Sequence, residues 1–177
     1  MKLIILNGPP GAGKSSVAEA LHQLAPPLTF LLKADAQRRF LKDRHVYSEE
    51  SSALTYKICK AIAGACLSEG KDVILERVVI ESATLDMFVR VGKEHGADVF
   101  EFILWADKGV IVQRNVSRPD APDALPDTKR VTAERAEYFW NKIEAVKNSR
   151  PHAQVIDVGE NSLEQVIEQV KVLVGYV

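Results

Sequence analysis

The chain has 177 residues, 46% of them hydrophobic and 27% charged, with a formal net charge of −1. A chain of this length and make-up forms one soluble domain able to bury most of its apolar surface. Its near-neutral balance excludes a general electrostatic affinity for DNA or anionic membrane, so any such contact must come from a local patch. No apolar stretch approaches a membrane span and the N-terminal run is too short for a signal peptide, so a cytoplasmic protein with no membrane association is expected.

In chain order, short apolar runs alternate with longer amphipathic segments, the pattern of β-α units around a parallel sheet. Residues 2–7 form the first strand, aliphatic through its middle as a strand covered on both faces must be. A glycine-rich turn comes next, then a helix over 14–24 that Pro26 and Pro27 stop. A second strand is predicted over 28–33, a helix over 34–42, and a long helix over 48–69 ended by Gly70. Cys59 and Cys66 lie on one face of that long helix, too far apart along its axis to bridge, and read as free thiols of a reducing compartment. Residues 72–76 form a third strand and 83–95 a helix stopped at Gly96. Residues 99–105 form a fourth strand and 108–116 the next helix.

The character then changes. Residues 117–127 hold Pro119, Pro122 and Pro126 with three aspartates and cannot be regular. A helix resumes near 129 and runs to about 147, succeeded by a fifth strand over 154–158 and a closing amphipathic helix over 162–174. No composition shift marks a linker, so one domain over 1–177 is expected. His22, His45, His95 and His152 show no metal-ligand spacing, and they read as surface or packing residues. Trp105 and Trp140 read as packing residues.

The chemistry-bearing motif is Gly8-Pro9-Pro10-Gly11-Ala12-Gly13-Lys14-Ser15, which fits G-x-x-x-x-G-K-[ST] at every fixed position. A triphosphate needs several donors converging on its oxygens, and successive backbone N–H groups in a tight loop supply them. Gly11 and Gly13 allow the close approach and the unusual dihedrals. The helix that starts at Lys14 turns its positive end toward the same anion. Lys14 would reach the β- and γ-phosphates and the Ser15 hydroxyl would ligate Mg²⁺, with Ser16 expected in the nucleotide-binding set.

Further candidates lie along the chain. Asp35 and Arg38 sit just past the second strand, where open α/β sheets place their sites. A carboxylate there can accept the proton of an attacking hydroxyl, and an aspartate there can also cap a helix. Glu76 closes the third strand with Arg77 beside it. Arg114 and Arg118 lie four apart, hence on one helix face, where guanidinium forks could stabilise charge on a transferring phosphoryl group.

With these residues the chain resembles the P-loop kinases of the nucleoside-monophosphate-kinase type, a group that includes gluconate kinase, chloramphenicol phosphotransferase, zeta toxins and polynucleotide 5′-kinase. The resemblance spans nearly the whole chain in element order. It implies an α/β three-layer sandwich: a five-stranded parallel sheet in the order 2-3-1-4-5, helices on both faces, and a mobile lid, here at about 117–129. It implies ATP and Mg²⁺ as cofactors. In polynucleotide-kinase-like members an Asp-x-x-Arg supplies a base for the attacking hydroxyl and an arginine for the acceptor, which maps onto Asp35 and Arg38. Relatives usually carry an aspartate at the position of Glu76, meeting Mg²⁺ through water or meeting the acceptor; the added methylene here weakens that carry-over. At the lid entrance the first arginine, Arg114, would stack on adenine and the second, Arg118, would reach the phosphates. Lys129, Arg130 and Arg135 on the lid's far side are further phosphate candidates.

The expectation is therefore an ATP-dependent kinase in which Lys14, Asp35 and Arg118 are catalytic. A small-molecule hydroxyl is favoured over a nucleic-acid 5′ end, because Lys and Arg total 23 against 24 Asp and Glu and a polynucleotide kinase needs a basic strand-binding groove. Two other readings stand beside it: a nucleotide-binding ATPase or switch without an acceptor, and a zeta-like toxin acting on a nucleotide sugar. No obligate protein partner is evident.

Overall fold

A computed structural model describes residues 1–42, 49–118 and 131–176. The aliphatic first strand, β1 (Lys2–Asn7), is the centre of the sheet. Its side chains alternate between two apolar layers. Ile4 and Leu6 face one cluster with Phe102, Leu104 and Ile156. Leu3 and Ile5 face the other with Leu32, Val73 and Leu75. Burial on both faces is why alternation of polar and apolar residues is missing from the sequence here.

The remaining elements are α1 (Lys14–Leu24), β2 (Phe30–Lys33), α2 (Ala34–Arg38), α3 (Glu49–Ser68), β3 (Val73–Glu76), α4 (Ser82–Glu94), β4 (Asp98–Trp105), α5 (Lys108–Val116), α6 (Ala133–Ser149), β5 (Gln154–Asp157) and α7 (Leu163–Val174). The sheet has the order β2-β3-β1-β4-β5 and every pair is parallel, as expected. Helices α1, α5 and α7 cover the Ile4 face through Val17, Leu21, Ile111, Val166 and Val170. Helices α3 and α4 cover the other face through Cys59, Ala63, Leu67, Leu85, Phe88 and Val91. Strand register aligns three strand ends: Leu6 lies opposite Glu76, and Lys33 lies opposite Glu76. The chain therefore leaves β1, β2 and β3 at one common edge.

Several boundaries differ from expectation for visible reasons. Strand β2 begins at Phe30, not residue 28, because Leu28 is left-handed (φ 66) and exposed. Helix α2 ends at Arg38, not residue 42. Beyond it the chain tightens into Arg39 N–H to Ala36 O (3.1 Å), Phe40 N–H to Gln37 O (3.3 Å) and Leu41 N–H to Arg38 O (3.0 Å), and Phe40 is left exposed. Helix α6 starts at Ala133, four residues later than predicted, where Thr132 accepts a hydrogen bond from the Arg135 N–H. Ser162 precedes α7 as half of a capping box with Gln165. Helix α3 stops as predicted: Gly70 turns left-handed (φ 70), and Lys71 N–H returns to Cys66 O at 3.1 Å. Ser48, where α3 was expected to start, and His45 lie outside the described residues.

Both cysteines are free. Trp140 donates its indole N–H to Ala106 O at 2.9 Å and stacks at 4.5 Å on Trp105. The histidines make structural bonds: His22 to Thr29 O, His95 to Val91 O and His152 to Glu101. Just past α6, buried Arg150 bonds Glu101 of β4 at 2.8 Å and Asp86 of α4 at 2.7 Å, tying three elements together. Among the described residues, no helix is long and apolar enough to cross a membrane.

Helix α4 approaches the sheet closely at Gly92, where an added Cβ would lie 2.5 Å from Val99 Cγ2 and 3.1 Å from Leu3 Cδ2. Overpacking of this kind costs roughly 1–3 kcal/mol, more than the helix propensity Ala gains over Gly, about 1 kcal/mol at most. Gly92→Ala is expected to lower the urea midpoint with the slope of the transition unchanged.

Candidate active site

The edge where β1, β2 and β3 end carries the site. The chain must leave β1 sharply to bring α1 back over the sheet, and Gly8 (φ 147) makes that exit. A Cβ there would fall 2.4 Å from the Leu104 carbonyl oxygen. Gly11 (φ 83) is packed against α5, where a Cβ would meet Asn115 Nδ2 at 2.6 Å. Gly13 is the N-cap of α1 and offers no side chain to its N–H groups, and the first turn has no acidic residue. The positive end of α1 is thus left without a neutralising group of its own, as an anion site requires.

Two asparagines hold this turn, and neither was singled out from sequence. Asn7 accepts from Gly8 N–H (2.8 Å) and Val79 N–H (2.9 Å) through its Oδ1 and donates to Val79 O (3.0 Å). It locks the start of the loop to the segment after β3. Asn115 donates to Pro10 O and to Ile111 O, both at 2.8 Å, and so pins the loop's crest to α5. The available signal was its place four residues after Ile111, which puts it on the buried helix face.

Beneath the turn lies Lys14, 6% exposed, its ammonium donating to Pro9 O at 2.9 Å. Burial brings its pKa down to about 8, with Glu76 and Asp35 pulling it back up and Arg118 opposing them. Four residues singled out from the sequence, Lys14, Asp35, Glu76 and Arg118, are thus within electrostatic reach of one another's charge at Lys14. Glu76 is held above the usual carboxylate range by burial, offset by Lys14 and by a hydrogen bond with Ser15. Ser15 and Glu76 thus present adjacent hard oxygens. That donor set fits Mg²⁺ completed by water and phosphate oxygens rather than a metal held by protein alone. Among the described residues no cluster of three or more His, Cys, Asp or Glu side chains competes for that role.

Past β2, Asp35 lies in the first turn of α2 but does not cap it. The N-cap is Lys33, and it makes no side-chain cap bond. The Asp35 carboxylate instead accepts from Arg77 Nη1 at 2.5 Å. Arg77 rests on the Tyr56 ring at 4.9 Å. Burial works against its charge, but Asp35 and Tyr56 outweigh it and hold the guanidinium above its ordinary pKa. Arg38 is buried at the end of α2, bonding Ser51 of α3 at 2.9 Å. Cys59 lies close to the same pair; burial pushes its thiol up to about 11, which leaves it inert as a nucleophile near neutrality.

On the donor side, a cavity of about 250 Å³ lies against the glycine turn, lined among others by Gly11, Gly13, Ser16, Arg114, Val158 and Asn161. Two of these lining residues are joined, Arg114 donating to Val158 O at 2.8 Å. Helix α5 ends at Val116, so Arg118 stands two residues past the helix rather than on it, yet close enough for its charge to depress Lys14. Arg135 sits in the first turn of α6 with its guanidinium 5.8 Å from the Phe139 ring centre. Apart from Ser117 and Arg118, the expected lid at 117–129 lies outside the described residues, as do Lys129 and Arg130.

A family model described as an AAA domain matches residues 3–141. No curated protein sequence matches the chain. Among solved structures, it is similar to the tunicamycin resistance protein of Deinococcus radiodurans at 20% identity, covering 99% of this chain and 96% of that one with a TM-score of 0.70. It is similar to a sugar kinase from a Janibacter species at 15% identity, covering 100% and 96%, also with a TM-score of 0.70. A chain of the Pnkp1/Rnl/Hen1 RNA repair complex matches at 21% identity with a TM-score of 0.67, covering 84% of this chain but 45% of that one. At these identities the likeness establishes the fold, that of the P-loop kinase-like group, and the kinases among the neighbours support a phosphotransferase in general terms.

The depressed Lys14 has a measurable consequence for nucleotide affinity. Below pH 8 its ammonium is present in the free protein; above about 8 it is lost there, whereas a bound triphosphate favours the charged form. ATP affinity is expected to weaken as pH rises past about 8, approaching tenfold per unit. Titration calorimetry across pH 7–9.5, in buffers of different ionisation enthalpy, would show proton uptake on binding growing over the same range.

Proposed function

The chain belongs to the AAA-domain family matched over residues 3–141, and on that premise we propose that it is an ATP-dependent kinase moving the γ-phosphoryl group to a hydroxyl of a small-molecule acceptor. The observation that carries this reading is the shared sheet edge: Lys33 at the end of β2 lies opposite Glu76, which lies opposite Leu6 of β1, so Asp35 leaves the sheet at the same edge as the glycine turn. A P-loop serving only as a switch has no need of a second, exposed carboxylate at that edge.

Each residue then has a physical task. Backbone N–H groups of the turn from Gly11 to Ser16, with the N-terminus of α1, bind the phosphate tail. The Lys14 ammonium exchanges its Pro9 carbonyl partner for the β- and γ-phosphate oxygens. The Ser15 hydroxyl, with the Glu76 carboxylate beside it, would hold Mg²⁺, whose chemistry when bound is neutralisation of phosphate charge. The base of the nucleotide lies in the cavity beside Arg114. Arg118 balances charge on the equatorial oxygens as the group transfers. The acceptor oxygen forms its bond to γ-phosphorus as the β–γ bridging bond breaks, leaving its electron pair on ADP. The hydroxyl proton passes to the exposed Asp35 carboxylate. Arg38, beside Asp35, reads the acceptor.

A second reading has one observation in its favour. The Asp35–Arg38 spacing is that of the polynucleotide-kinase-like members, and a chain of an RNA repair complex shares the fold, so a 5′-hydroxyl oligonucleotide is the alternative acceptor.

Lys14→Ala is expected to abolish turnover and most ATP affinity; full activity in that variant would remove the P-loop assignment. Asp35→Asn is expected to leave ATP binding nearly intact while slowing transfer at least ~100-fold. Unchanged transfer would strip Asp35 of its role. ADP release measured against a panel of sugars, tunicamycin and single-stranded 5′-hydroxyl oligonucleotides decides the acceptor. A response confined to the oligonucleotides would replace the small-molecule reading with the second one.

A further inference from the structure

Arg77 is a poor choice of residue if its purpose is stability. Its side chain is 9% exposed, and its Nε is buried without a hydrogen-bond partner. A buried guanidinium with an unmet donor is poorer for folding than an apolar side chain of similar volume. What the arrangement does provide is a fixed carboxylate. Asp35 stands on the five-residue helix α2 with 72% of its side chain exposed, a setting in which a short carboxylate samples several rotamers. Arg77 Nη1 holds Asp35 Oδ1 at 2.5 Å. The other side of the guanidinium is backed by the Tyr56 ring. The backbone N–H of Arg77 donates to Leu6 O at 3.2 Å, two residues before Gly8. The acceptor carboxylate is thereby tied through one side chain to the strand that carries the phosphate loop.

We propose that Arg77 is a positioning residue: it clamps Oδ1 of Asp35 to the frame of β1 so that Oδ2 faces the attacking hydroxyl at a set distance from the γ-phosphoryl group. Arg77 touches neither nucleotide nor acceptor and acts through Asp35. The inference rests on the reading of Asp35 as the proton acceptor of a kinase. Misplacing a reacting group by about 1 Å costs on the order of a hundredfold in rate, and a released Asp35 side chain swings by at least that much.

The test uses water, the simplest hydroxyl acceptor, so that no acceptor need be known: Mg·ATP hydrolysis, measured by ADP release, in the full chain and in Arg77→Met, Arg77→Lys, Asp35→Asn and the Arg77→Met/Asp35→Asn double variant. Arg77→Met is expected to lower kcat roughly tenfold to a hundredfold with KM for ATP within twofold, to recover partly in Arg77→Lys, and to melt no lower than the parent. In the Asp35→Asn background the same change is expected to add nothing. If Asp35→Asn is slow but Arg77→Met is not, or if the two losses multiply, the positioning role is wrong while the kinase reading stands. If Asp35→Asn hydrolyses at the parent rate, Asp35 is not the proton acceptor and the positioning role falls with it. A failure of Arg77→Met to fold would make Arg77 a structural residue and overturn the proposal.

Discussion

The architecture turns on a positive charge held where water is scarce. Lys14 sits under the glycine turn with the Pro9 carbonyl as its hydrogen-bond acceptor, and burial lowers its pKa more than the neighbouring carboxylates raise it. A buried cation without a full counter-charge is unstable with respect to binding an anion. The turn around it exposes the N-terminus of α1, which has no acidic side chain in its first turn. A phosphate tail relieves both at once. The site is therefore electrostatically prepared before any ligand arrives, at a cost offset elsewhere by the two-sided core around β1.

That preparation requires a loop that does not collapse onto its own lysine, and the two asparagines supply the stiffness. Asn7 fastens the loop's base to the segment after β3, and Asn115 fastens its crest to α5. The second link has a further effect. Arg114, its neighbour on α5, lines the cavity against the turn and reaches Val158 after β5, and Arg118 stands just beyond the helix. One helix thus sets both the loop's shape and the placing of the arginines around it. Side-chain hydrogen bonds thus link the glycine turn to the segment after β3 and to α5, and α5 to the chain after β5.

The surroundings of Asp35 are built differently. They rest on a five-residue helix and on the Arg77 side chain after β3, joined by an ion pair and a ring contact. The division tracks the sheet, with β1 between the β2–β3 side and the β4–β5 side.

Much of this was legible in the chain as a string of residues. The glycine-rich octapeptide announced its anion cradle because the chemistry is local: successive N–H groups, a lysine and a hydroxyl within eight positions. The five strands and the flanking helices were legible because two-sided burial forces an unbroken aliphatic run, and Gly70 and Gly96 marked helix ends as predicted. The pairing of Asp35 with Arg77, 42 residues apart, was not, nor was the clamp from Asn115 to a carbonyl 105 residues earlier. Asp35 could equally have capped its helix, and only the packed chain gives that place to Lys33. Local spacing fixes which face a side chain occupies, but which distant group meets it depends on strand order and register. Those are set by the cooperative packing of the whole sheet, so motif and fold class come from sequence alone while the partners of each charge belong to the tertiary structure.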